Sequence, residues 1–111
     1  MILINTTFSV DANIADAFTG FIRDTYIPLA SESGLGDALL SELRVEPEMN
    51  ITTGQNARTF ALQMRAPSQK VLDEFRNDVV PRIYAFMGAT WGTGAAFFET
   101  TLDILYDPAK K

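Results

Sequence analysis

The chain has 111 residues, enough for one domain with a modest core, and its 47% apolar content with eight Phe excludes a disordered chain. Nine Lys and Arg against fourteen Asp and Glu leave a net charge of −5, which excludes nucleic acid and anionic membrane surfaces as partners, because both demand clustered cations. Cysteine and histidine are absent, so disulfides, thiolate chemistry, zinc–sulfur sites and imidazole acid–base catalysis fall away together.

The opening run alternates from Ile2 to Val10. Period two predicts a strand with Ile2, Ile4, Thr6, Phe8 and Val10 on one face and Leu3, Asn5, Thr7 and Ser9 on the other. A strand that starts so early leaves no room for a secretory signal, and the cytoplasm is the expected location. Asp11 and Asn13 offer N-cap oxygens, and Asp16 suits the first turn of a helix. Ile14, Phe18, Phe21, Ile22 and Leu29 then form a helical stripe. Pro28 should kink or restart that helix near Tyr26-Ile27, and Gly34 has the character of a terminating glycine.

A second strand is expected over Ala38 to Glu46, with Leu39, Ser41, Leu43 and Val45 toward the helices and Leu40, Glu42, Arg44 and Glu46 away from them. The polar stretch from Glu46 to Asn56, broken by Pro47 and Gly54, reads as a hairpin loop. The third strand is Arg58 to Ala66, with Phe60, Leu62 and Met64 opposite Thr59, Ala61, Gln63 and Arg65. Ser68 is the expected N-cap of a second helix whose stripe is Leu72, Phe75, Val79, Ile83 and Phe86. Pro81 interrupts it as Pro28 interrupts the first, so the two halves read as a weak internal repeat. Gly88 to Gly94 is expected to be a flexible connection; its glycines follow a helix and precede a strand, the reverse of a phosphate-binding loop. The last strand runs about Ala95 to Tyr106. Phe98, Leu102 and Ile104 are expected against the helices, so that Phe98→Ala should destabilise strongly; Phe97, Glu99, Thr101 and Asp103 are expected on the opposite face.

This order predicts one α+β domain over residues 1–107 with a polar tail at 108–111: a four-stranded antiparallel sheet with both helices on one face, a split βαβ arrangement. With strand order 4-1-3-2, the second face would display Asn5, Thr7, Arg44, Gln63, Arg65, Glu99 and Asp103, with Trp91 at the mouth of the last strand. These are the candidate cavity or interface residues; the mixed Leu3, Leu40, Phe97 and Leu105 on the same face favour a contact over plain solvation. Glu99 and Asp103, about 13 Å apart along a strand, are too distant to act as a carboxylate pair, and pairing to Arg65 or Arg44 is the commoner fate of such groups. No cofactor or metal is expected, because carboxylates that alternate with arginine hold metal ions poorly.

The opening Met1-Ile2-Leu3-Ile4-Asn5-Thr6-Thr7-Phe8-Ser9-Val10-Asp11, the Phe21-Ile22 and Tyr26-Ile27-Pro28 of the first helix, the Gly34-Leu35 exit, and Phe86-Met87-Gly88 leading into Phe98-Glu99-Thr100-Thr101-Leu102 resemble a family of short uncharacterised bacterial proteins, frequent in Bacteroidetes and described as a domain of unknown function. The resemblance covers nearly the whole chain. It implies a ferredoxin-like βαββαβ subunit of the dimeric α+β barrel superfamily, and a homodimer. That superfamily includes cofactor-free monooxygenases, haem-degrading enzymes and small-molecule binders. Family members commonly carry His before the Ile-Pro, where this chain has Tyr26, and the chain departs from the haem enzymes in having no histidine ligand. The expected function is therefore a homodimer that binds a small ligand or protein partner on its polar sheet face. The alternative is a cofactor-independent monooxygenase or isomerase acting on a small aromatic or enolisable substrate, with Asn5, Arg65 and Glu99 orienting and deprotonating it and Trp91 excluding water.

Overall fold

The computed structural model describes residues 1–44 and 57–107. Val45, Glu46, the expected hairpin loop and the expected tail lie outside the described residues. Strands β1 (Ile2–Asp11), β2 (Gly36–Glu42), β3 (Ala57–Ala66) and β4 (Ala95–Asp103) form one sheet in the order β2-β3-β1-β4. Every pairing is antiparallel. Two long helical segments cover one face, which is the α+β arrangement that the hydrophobic periods predict.

Each helical segment has the same construction. The first enters through a short 3₁₀ turn, Ala12–Ile14, and continues as α1 (Ala15–Phe21), a π turn (Ile22–Tyr26) and α2 (Ile27–Glu32). The second runs as α3 (Gln69–Glu74), a π turn (Phe75–Val79) and α4 (Val80–Trp91). In both, proline follows two residues after the π turn, at Pro28 and Pro81. Proline has no N–H and its ring crowds the carbonyl four residues earlier. The wider turn shifts the ladder ahead of it: Ile27 N–H bonds to the Ile22 carbonyl and Val80 N–H to the Phe75 carbonyl. The helix thus passes the proline without breaking, and the internal repeat is real in the backbone.

Ser68 caps the second segment by accepting from Val71 N–H at 3.2 Å, as its position predicts. The first segment has no side-chain cap: neither Asp11 nor Ile14 makes one, because the 3₁₀ turn lies where Asp11 and Asn13 were expected to cap. The first segment ends at Gly34, whose φ of +104° only glycine adopts without strain, with Leu35 N–H returning to the Ala30 carbonyl at 3.0 Å. The second helix does not stop at Gly88. It runs on to Trp91 and turns at Gly92, so most of the expected flexible connection is helix.

The core lies between the sheet and the helices. Ile4, Phe8 and Val10 of β1 and Phe60, Leu62 and Met64 of β3 meet Phe18, Ile22, Leu72 and Phe75, all buried. The faces of β1 and β3 are those the alternation predicts. The faces of β2 and β4 are reversed. Leu40 pairs with Leu62 and Glu42 with Phe60, which turns both toward the helices and leaves Leu39 and Ser41 outward. Phe97 pairs with Phe8 and Glu99 with Thr6, so these face inward, while Phe98, Thr100 and Leu102 face outward. Phe98 is 63% exposed and not part of the core. Both strands carry adjacent large apolar residues, Leu39-Leu40 and Phe97-Phe98, so period two alone admits either face. A register irregularity between Gly36 and Leu39, where Asp37 has a φ of +54°, accompanies the reversal in β2. β4 ends at Asp103, three residues before its expected end at Tyr106.

Candidate functional site

The open sheet face is ordered from its edges inward. In the cross-strand rows, Leu102 and Leu3 lie beside Arg65, and Thr100 and Asn5 beside Gln63 and Leu39. Phe98 and Thr7 lie beside Ala61 and Ser41. Leu43 extends the β2 edge by donating its N–H to the Thr59 carbonyl at 2.8 Å. Leu39 is 57% exposed and Leu102 48%. Large apolar side chains therefore occupy the periphery, and the middle is small or polar. There Asn5 Nδ2 donates to Thr7 Oγ1 at 3.3 Å.

Arg65 anchors one corner. It pairs with Asp107 and approaches Asp37 at 3.6 Å, and the hydrogen bond it donates to Asp107 raises its pKa further. This pairing draws the segment after β4 across the end of β1, where Ile104 N–H donates to the Met1 carbonyl at 3.2 Å. It leaves Leu105 and Tyr106 almost fully exposed.

Of the eight candidate residues, Asn5, Thr7, Gln63 and Arg65 share this open face. Glu99 and Asp103 do not: their partners Thr6 and Ile2 place them on the helix-facing side. Trp91 is also on that side, where its ring meets Phe18 and Phe21 with centroids 5.6 Å away in each case. Arg44 is exposed just past the end of β2. The patch predicted from Leu3, Leu40, Phe97 and Leu105 exists, but Leu39 and Phe98 replace Leu40 and Phe97 in it. Asn5 and Arg65 are thus separated by the sheet from Glu99 and Trp91, so the set expected for oxygenase or isomerase chemistry is not assembled in one place.

The helix-facing side holds a polar group that periodicity did not single out. Glu99 accepts from Arg76 Nε at 2.8 Å, across from Thr6, whose buried hydroxyl makes no close hydrogen bond and has the Tyr26 hydroxyl as its polar neighbour. Nearby Tyr26 is buried; burial pushes its hydroxyl up to about 12, the Thr6 hydroxyl pulls it partly back, and the Glu99 charge adds to the rise. The sequence signal that could have found this group is Thr6 itself, a polar residue in the middle of an apolar face. Among the described residues, no three Asp or Glu side chains gather as a metal site. No described helix is long and apolar enough to cross a membrane.

Among solved structures, a dimeric ferredoxin-like protein from an uncultured marine organism matches with a TM-score of 0.66 at 8% identity, over 96% of this chain and 97% of that one. HapK from Hahella chejuensis matches at 0.65 and 14% identity, over 96% of this chain and 95% of that one. An ethyl tert-butyl ether d (ethd) family protein from Bacillus halodurans matches at 0.59 and 12% identity, over 94% of this chain and 100% of that one. At such identities the likeness establishes the ferredoxin-like fold alone. No curated relative matches the chain. The family model described as a domain of unknown function (DUF4286) matches residues 1–105, and the chain belongs to that family.

Proposed function

We propose that this protein is a homodimer that pairs through the open sheet face and holds a small polar ligand between the two sheets. The observation that carries the reading is the layout of that face. Leu3, Leu39, Leu43, Phe98 and Leu102 surround Asn5, Thr7 and Gln63. A merely solvated antiparallel face would be polar throughout; contiguous exposed apolar groups mark a contact. Two copies pressed together bury the apolar periphery first, and the shorter central side chains leave a hollow lined by amide and hydroxyl groups. Structural neighbours described as dimeric ferredoxin-like proteins support the same assembly. The reading is of a binding protein, not an enzyme, with the cytoplasm as its location and neither nucleic acid nor membrane as partner, in keeping with the acidic charge balance.

Light scattering tests it. The protein at tens of micromolar is expected to have the mass of two chains, and Phe98→Asp, which places a charge in the contact, is expected to run as a folded monomer with an unchanged circular dichroism spectrum. A wild-type monomer at that concentration would overturn the reading.

A further inference from the structure

The two helical segments run antiparallel. Phe18 meets Trp91 with ring centroids 5.6 Å apart, Phe21 meets Phe86 at 4.7 Å and Tyr26 meets Phe75 at 6.3 Å. Between the segments lies a groove of about 200 Å³, lined by Phe21, Thr25, Leu29, Arg82, Ile83 and Phe86. All six belong to the helix layer and none to the sheet. Thr25, Arg82 and Phe86 are exposed, so the groove opens to solvent. The Phe21 and Phe86 rings stack within 8° of parallel and, with Leu29 and Ile83, make its apolar wall.

Two polar side chains interrupt that wall. Thr25 follows Phe21 by four residues and Arg82 precedes Phe86 by four. In antiparallel segments both therefore lie about one turn from the stacked rings, across the groove from each other. Thr25 belongs to the π turn Ile22–Tyr26, a device frequent at functional sites. Arg82 Nε donates to the Asp78 carbonyl at 3.1 Å, which fixes the guanidinium and leaves its two Nη groups pointing elsewhere. Arg23, Arg58, Arg65 and Arg76 each pair with a carboxylate. Among the described residues none pairs with Arg82, and its Nη groups have no hydrogen-bond partner. A chain with fourteen acidic residues thus keeps an unpaired guanidinium on the rim of an apolar groove.

We propose that this groove binds a small monocarboxylate with an apolar body. The carboxylate accepts from both Nη groups of Arg82, the fork geometry in which a guanidinium holds a carboxylate best, and from the Thr25 hydroxyl. The body covers Phe21, Leu29, Ile83 and Phe86. The groove is smaller than the roughly 300 Å³ at which sites for drug-sized ligands begin, so the ligand is small. Both of its parts are needed: an exposed ion pair alone contributes little, and an apolar body alone leaves the guanidinium unanswered. The groove lies in the helix layer, and its occupancy does not depend on the dimer contact across the open sheet face.

Titration with 3-phenylpropionate, followed by backbone amide shifts, tests the proposal. The wild-type protein is expected to bind with a dissociation constant on the order of 1 mM, with saturating shifts at Thr25, Leu29, Ile83 and Phe86. The neutral 3-phenylpropanamide keeps the body and loses the charge, and is expected to bind about fivefold more weakly or worse. Acetate keeps the charge and loses the body, and is expected to bind more weakly than 3-phenylpropionate. Added salt is expected to weaken binding of the acid and not of the amide. Arg82→Gln is expected to bind acid and amide alike. Phe98→Asp is expected to bind as the wild type does, so failure of the dimer reading and failure of this one are separable. The proposal is overturned by an absence of saturating shifts at the groove residues at about ten times the expected dissociation constant, or by shifts confined to the open sheet face. Equal wild-type affinity for acid and amide, or a preference for the acid that survives in Arg82→Gln, would overturn it too. The comparison of acid with amide uses the wild type alone, so it decides even where Arg82→Gln does not fold.

Discussion

Phe8 and Phe98 separate the two roles that an aromatic side chain takes in this sheet. Phe8 is fully buried and meets Phe18, Tyr26 and Phe97 with ring centroids 5.0, 6.0 and 5.7 Å away. Phe8→Ala is expected to cost about 3–5 kcal/mol through the cavity it leaves. Phe98→Ala removes an outward side chain and is expected to change the stability of the single subunit by less than about 1 kcal/mol. Urea melts at low protein concentration rank the two, and the opposite ranking would mean that β4 is one residue out of register. Thr6→Val replaces a buried hydroxyl that makes no close hydrogen bond by a methyl of the same shape. It is expected to raise stability by about 1 kcal/mol, read as an upward shift of the thermal midpoint. Tyr26 links the core to pH. Its folded pKa of about 12 lies above the ordinary value of 10, so the neutral hydroxyl is the form that folding favours. Its contribution is complete below pH about 10 and is lost by up to about 2–3 kcal/mol as pH rises toward 12. Urea midpoints of the wild type should fall faster over that window than those of Tyr26→Phe; parallel curves would refute the assignment.

At the scale of the element, glycine has opposite meanings in the two helical segments. Gly34 holds a left-handed turn, and a Cβ there would lie 3.0 Å from Val71 Cγ1. Both terms act against substitution, and Gly34→Ala is expected to cost about 1–2 kcal/mol. Gly88 sits in ordinary helix with open space around it, so Gly88→Ala is expected to stabilise by about 0.5–1 kcal/mol. Thermal melts of the pair test the two signs together. The π turns are the other device at this scale. Each precedes its proline by the same interval and lets one long segment follow the sheet despite a missing N–H. Ion pairs matter less here: Arg58 and Glu42 bond at 2.8 Å on the rim of the helix-facing side, and the guanidinium lowers the Glu42 pKa, but exposed pairs of this kind contribute little.

For the whole molecule, the sheet has two faces that both want cover. The helices cover one. The other exposes Leu39, Leu43, Phe98 and Leu102, with Leu105 and Tyr106 beside it. Association through that face links folding to concentration, because a partner that binds only the folded chain stabilises it by mass action. The thermal midpoint of the wild type is expected to rise with protein concentration, and that of Phe98→Asp to stay constant. A wild-type midpoint independent of concentration would argue against the dimer.

The order of elements, the faces of β1 and β3, the Ser68 cap and the site of each helical irregularity were legible in the chain, because alternation, capping oxygens and prolines act over a few residues. The inward faces of β2 and β4 were not. Alternation identifies a buried face only when the opposite face is solvated, and here Leu39-Leu40 and Phe97-Phe98 supply apolar side chains to both. Pairing with Leu62 and Phe8 decided the matter, and pairing is a property of strands brought together from distant parts of the chain. The same step moved Glu99 from the open face to Arg76. Asn5, Thr7, Gln63 and Arg65 stayed where alternation placed them, because β1 and β3 are the central strands and one face of each must meet the helices. What an edge strand presents to each side depends on what covers that side, and this only the tertiary structure could decide.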